Sequence, residues 1–128
     1  MLETALFASS DGTGTDWRLL GVADHAAAAW HYVHLKFDVI GGQLAGWLVR
    51  RDSGEEIPLV DVLFDATRLS LRLPGRPPAD SGLEKMPRLS LALFGDREFR
   101  GYYVDEMDKR LDPVHELKLV KSDEEFIT

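Results

Sequence analysis

From Ile57 to Pro74 the chain reads IPLVDVLFDATRLSLRLP, with apolar and polar positions alternating at a period of two. That period is the mark of a strand with one dry face and one wet face. In the second half Leu69, Leu71 and Leu73 alternate with Ser70 and Arg72. In the first half Val60, Val62 and Phe64 share one parity, while Leu59, Asp61, Leu63 and Asp65 share the other. Asp65-Ala66-Thr67-Arg68 supplies the turn, so the segment predicts an antiparallel hairpin.

The same alternation recurs on both sides of this hairpin. Trp17 to Val22 predicts a first short strand. Asp24 followed by His25 and four alanines has the composition of a capped helix start. Against that, His31, Val33, Leu35, Phe37 and Val39 alternate with Trp30, Tyr32, His34, Lys36 and Asp38. Alternation of that length, rich in aromatic and β-branched residues, predicts a strand over Trp30 to Val39 with the alanines as its approach. Gly41-Gly42 is a tight-turn signal leading into Gln43 to Arg51, and Asp52 to Glu56 turns again. Beyond the hairpin, Pro74 to Pro87 holds four prolines and two glycines, which excludes regular structure across it. Arg88 to Phe94, Phe99 to Val104 and Glu116 to Val120 predict three further strands.

Short connections between most neighbours imply an up-and-down order. The predicted fold is all-β, a single antiparallel barrel of about eight strands, in which pairing the first strand with the last removes exposed edges. One domain spans 1–128, with residues 1–14 as a loose lead and 122–128 as an acidic tail.

Composition narrows the function classes. A net charge of -7, from 15 basic and 22 acidic residues, repels a phosphate backbone, and no run of Lys and Arg offsets it, so nucleic acid is not an expected partner. The absence of cysteine removes disulfides, thiol catalysis and zinc-thiolate sites. Glu3 stands where a signal peptide carries basic residues, and no apolar run reaches the roughly 20 residues of a membrane span. A cytoplasmic protein is expected.

Several of these residues together resemble a known family. They are Trp17, Leu19 and Gly21, then Phe37, the Gly42-x-Leu44-x-Gly46 turn and strand, and Ile57-Pro58-Leu59. The run Val62-Leu63-Phe64-Asp65 with Leu69-Ser70-Leu71 and Pro74, the Leu93-Phe94-Gly95-Asp96 to Gly101 hairpin, and Leu117-Lys118-Leu119 complete the set. Over residues 15–121 this pattern is similar to a small lipocalin-like (calycin-like) β-barrel, of the kind found ahead of some bacterial serine hydrolase domains. No hydrolase domain is expected with this barrel, and the chain departs from the pattern in its alanine-rich approach and in its longer Pro74 to Pro87 loop. The resemblance implies a barrel with a mouth and an interior and supplies no catalytic residues.

The candidate chemistry follows from parity. His31 is the one ionisable group on the face of the second strand that carries Val33, Leu35, Phe37 and Val39. There it either meets a ligand, acts as an acid or base, or is satisfied by a backbone carbonyl. Tyr103 shares a face with Phe99 and Gly101 and is its expected partner at the rim. His31 and His34 point to opposite faces of a strand and cannot share an ion, so no metal is expected, and no cofactor is implied.

Three readings remain. The first is a barrel binding an apolar or amphipathic small molecule through His31, Val33, Phe37, Leu71, Leu91 and Tyr103, with the Pro74 to Pro87 loop as a partial lid. The second is an enzyme of cyclase, isomerase or hydrolase type in which His31, helped by Asp61 or Glu98, moves a proton. The third is a structural or protein-interaction barrel with a filled core. With Val33, Leu35, Phe37, Leu44, Gly46, Leu48, Val60, Val62 and Phe64 inward, the outer wall carries Trp30, Tyr32, Trp47, Val49, Leu59 and Leu63. A homodimer through that wall is expected unless the alanine-rich approach or Leu2 to Phe7 folds over it.

Overall fold

The computed structural model describes residues 2–8, 14–20, 33–50, 52–75, 84–95, 97–111 and 116–121. Among them, one short helix, α1 (Leu2–Phe7), precedes nine strands. These are β1 (Thr15–Leu20), β2 (Val33–Ile40), β3 (Gln43–Val49), β4 (Glu56–Pro58), β5 (Val60–Asp65), β6 (Arg68–Arg72), β7 (Arg88–Leu93), β8 (Glu98–Val104) and β9 (Leu117–Lys121). They form one sheet in the order β4-β3-β2-β1-β9-β8-β7-β6-β5. Every neighbouring pair is antiparallel, and β1 pairs with β9. The protein is an up-and-down, nearly closed barrel. Its described part contains no helix long and apolar enough to cross a membrane. The segments 21–32, 76–83, 112–115 and 122–128 lie outside the described residues, and with them the helix-or-approach alternative at Asp24 to Ala29 and the acidic tail.

The strand count exceeds eight because one predicted strand changes partners midway. β4 pairs with β3 as far as Pro58, whereas β5 pairs with β6 from Val60 onward. Leu59 joins the two, its amide donating to the Gly46 carbonyl at 2.9 Å, so a single run of chain draws the open edges of the sheet together. At the handover Asp61 takes a φ of 53°, and the β5–β6 register shifts between Val60 and Leu63. Such a bulge adds one residue and reverses the facing of the positions beyond it. Val60 and Val62 therefore point to opposite sides despite equal parity. Leu59, expected on the outer wall, is buried at 8% exposure, and Val60, expected inward, is 45% exposed. Pro58 is tolerated because β4 needs its partner on one side only.

The two ends of the barrel differ. At one end the turns are short: Gly41 and Gly42, at φ of 61° and 80°, make the tight turn that requires positive φ at both central residues. Ala66 and Thr67 turn β5 into β6 at the same end, with Ala66 at φ 58°. A side chain in that region costs about 1–2 kcal/mol. Ala66→Gly is therefore expected to stabilise the protein by up to about 1 kcal/mol, as a rise in denaturation midpoint at unchanged m-value. The opposite end carries the long connections 21–32, 73–87 and 105–116.

The short-turn end is plugged by the chain's own N-terminal segment. The expectation of a loose lead fails at α1, where Leu6 and Phe7 are 3% and 0% exposed. The Phe7 ring lies 5.2–5.9 Å from the rings of Trp17, Phe37, Phe64 and Phe99. Thr15 locks this junction: its hydroxyl donates to the Phe7 carbonyl at 3.1 Å and accepts from the Trp17 indole N–H at 2.9 Å. The two residues enter the barrel end rather than lying over its outer wall. Six helical residues are too few to display a 3.6-residue period, so alternation along the chain gives no sign of them.

Candidate ligand site at the loop end of the barrel

Inward parity on β2, β6, β7 and β8 assembles an apolar lining whose two halves differ in character. Phe37 belongs to the plugged half, against Phe7. Val33 lies four residues earlier on β2, about 13 Å away along the strand, at the end with the long connections. Leu71 faces Leu89, and Leu89 faces Tyr103, so these three form a row across β6, β7 and β8 towards that same end. Leu91 faces Gly101 one step deeper. Of the six residues expected to bind a ligand, Leu71 and Tyr103 share this row, Phe37, Leu71 and Leu91 are core at 0%, 0% and 1% exposure, and Val33 is partly buried against that core. His31 lies outside the described residues, as do Trp30 and Tyr32 of the expected outer wall.

Tyr103 is the polar group of this lining. Its ring packs against the core, and its hydroxyl has no hydrogen bond to the protein among the described residues. Burial alone pushes its phenol from 10.0 up to about 12. The group therefore stays neutral across the physiological range, able to donate one hydrogen bond and accept others. The sign for stability follows from linkage. A phenol whose folded pKa is raised supports folding below pH 10 and loses that support as pH rises through about 12. Denaturation midpoints measured across that window are expected to fall more steeply for the wild type than for Tyr103→Phe.

The rim beside Tyr103 is built by ion pairs. Arg72 donates to the Met86 carbonyl at 2.8 Å and reaches Asp61 and Glu106 at 3.4 Å each. Lys85 meets Glu106 at 3.5 Å. The ammonium of Lys85, then the Arg72 guanidinium, hold the Glu106 carboxyl below its ordinary value. One cation thus ties the end of the long Pro74 to Pro87 connection to the loop after β8. Between them lies a cleft of about 250 Å³ lined by Arg72, Met86, Pro87, Val104, Asp105 and Leu111, among others. The loop after β8 is itself fixed by Asp105, whose carboxylate accepts from the amides of Met107 at 2.8 Å and Lys109 at 3.0 Å. Those amides hold its pKa low. Of the expected lid, residues 76–83 lie outside the described part, and Met86 is pinned by Arg72.

The acidic partners considered for His31 sit elsewhere. Asp61 is on the exposed bulge with Arg72, and Glu98 opens β8 at the plugged end, bonded to Arg100. Neither carboxylate faces the apolar lining. Among the described residues no three His, Asp or Glu side chains gather as metal ligands. The signal that sequence reading missed was Arg72, placed on a wet face by parity yet only 14% exposed at its side chain, because the rim loops fold over it. Comparison with known protein families, with curated proteins and with solved structures finds no match to this chain.

Proposed function

We propose that the protein is a lipocalin-like binding barrel that holds an apolar or amphipathic small molecule in the loop half of its interior. The observation that carries this reading is Tyr103, whose half-buried ring packs against the apolar core while its hydroxyl makes no hydrogen bond to the described residues. A ligand carbonyl or hydroxyl meeting this group would exchange its contact with water for a hydrogen bond of about 0.5–1.5 kcal/mol net. The division of the barrel into a plugged end and an end framed by long connections supports the same reading. In it Val33 and Leu71 contact the apolar body of the ligand, Tyr103 reads its polar group, and His31 is the second polar contact.

Native mass spectrometry of the purified protein, with a fluorescent apolar probe as the binding assay, tests the proposal. The expected result is a bound small molecule or saturable probe binding, weakened about tenfold by Tyr103→Phe. Absence of both would leave the filled, protein-binding barrel. That second reading is favoured by the twelve large side chains under 2% exposed among the described residues. The same spectrum reports the dimer we associate with the outer wall, where Leu63, Val60 and Ile40 are 61%, 45% and 55% exposed.

A further inference from the structure

The outward positions of β6, β7 and β8 gather arginines that are distant in sequence. Arg68 stands opposite Ala92, which stands opposite Arg100, and Ser70, Ser90 and Tyr102 make the adjoining row. The loop after β8 doubles back through a bridge between Val104 and Arg110 and a hydrogen bond donated by the Leu111 amide to the Tyr103 carbonyl at 3.0 Å. This return lays the Arg110 guanidinium 3.7 Å from the centre of the Tyr102 ring. Arg68, Ser90, Arg100, Tyr102, Asp108 and Arg110 then line a cleft of about 220 Å³ on the outside of the barrel.

How these guanidinium groups are held matters more than their number. Arg110 lies over the Tyr102 ring, Arg100 lies 3.8 Å from the centre of the Phe94 ring, and Arg68 donates to the Ser90 hydroxyl at 3.1 Å. Arg100 also spends its Nε on Glu98, and Asp108 is taken by Arg88 from outside the cleft. The Tyr102 hydroxyl stands 3.5 Å from Glu116. Arg68 and Arg110 have no carboxylate partner among the described residues, in a chain where acids outnumber bases 22 to 15. A guanidinium stacked on a ring or anchored by a hydroxyl keeps its remaining N–H donors pointed outward in a fixed fork. Two such forks converging on one cleft match an anion with several oxygens better than a single carboxylate.

We infer that this outer cleft binds a phosphate group, as free inorganic phosphate or as the phosphoryl end of a small ester. Arg68 and Arg110 take its charge, and Ser90 lies between them. The site is separate from the barrel interior, so its failure leaves the interior reading untouched, and the reverse also holds.

The test is a titration of the full chain with inorganic phosphate and, separately, with phenyl phosphate. Chloride holds ionic strength constant, and the amide resonances of Ser90, Ala92 and Tyr102 are followed. The expected result is a saturable shift that Arg68→Gln and Arg110→Gln each weaken about tenfold or more. Arg50→Gln, which removes the same charge from the exposed turn pairing with Asp52, is expected to leave the affinity unchanged. Tighter binding of the ester assigns the site to an organic phosphate, and equal binding assigns it to the free anion. No saturable shift with either probe would overturn the assignment. So would equal weakening by Arg50→Gln and Arg68→Gln, which would mean that net charge alone acts. Melting temperatures of the three variants confirm that each is folded.

Discussion

Replacing Phe7 with alanine is expected to destabilise the protein by about 3–5 kcal/mol, the range for removing a large aromatic side chain from a packed interior. Phe7 is fully buried, and four other rings surround it at 5.2–5.9 Å. Removing it leaves Trp17, Phe37, Phe64 and Phe99 facing a void that the strands carrying them cannot close, because each backbone is held by its ladder. Chemical denaturation checks this directly, and Phe7→Leu should fall between wild type and Phe7→Ala. A loss under about 1 kcal/mol would place α1 outside the core and leave the short-turn end of the barrel without its plug. The loss also bears on function, since a barrel with its short-turn end emptied should take the apolar probe at a second position.

Gly101→Ala is expected to cost about 3 kcal/mol or more, through strain rather than a cavity. Gly101 lies opposite Leu91 in the β7–β8 ladder, and a Cβ there would overlap the Ser90 carbonyl oxygen and crowd the Leu91 Cα at 2.8 Å. Both obstacles are backbone, so the strands must part for the methyl group to fit. Gly46 makes the informative contrast. A Cβ there would meet the Leu59 Cδ1 at 2.8 Å and the Phe37 ring at 2.8–2.9 Å, all of them side-chain atoms. Gly46→Ala is therefore expected to cost only about 1–2 kcal/mol as Leu59 and Phe37 shift. Equal effects at the two positions would show that the close β7–β8 approach at Gly101 is not a feature of the fold in solution.

Much of the barrel was legible in local alternation. The leucines of β6, β7 and β9 sit inward as their parity required, with Leu69, Leu71, Leu89, Leu91, Leu117 and Leu119 all at 0–1% exposure. Gly41-Gly42 turned where a positive φ at both positions was wanted. Parity failed at one place, from Leu59 to Asp61, because a bulge counts one residue more than the periodicity does. The candidate site was legible only in part. Alternation gave the face of each residue, and Leu71 and Tyr103 do fall in one row with Leu89, but Phe37, Leu71 and Leu91 are alike core at 0–1% exposure, since a period of two assigns a face and not a depth along the strand.

By itself the order of apolar and polar residues determined that this chain forms antiparallel strands, which side of nearly every strand is dry, and that short turns link them in an up-and-down order. Those are local properties, set within a few residues by sterics and side-chain direction. Tertiary structure alone decided that Phe7 stoppers one end, that Leu59 hands the chain from β3 to β6, and that Arg68, Arg100 and Arg110 meet on one outer face. Each joins residues far apart along the chain, and only closure of the sheet brings them into reach.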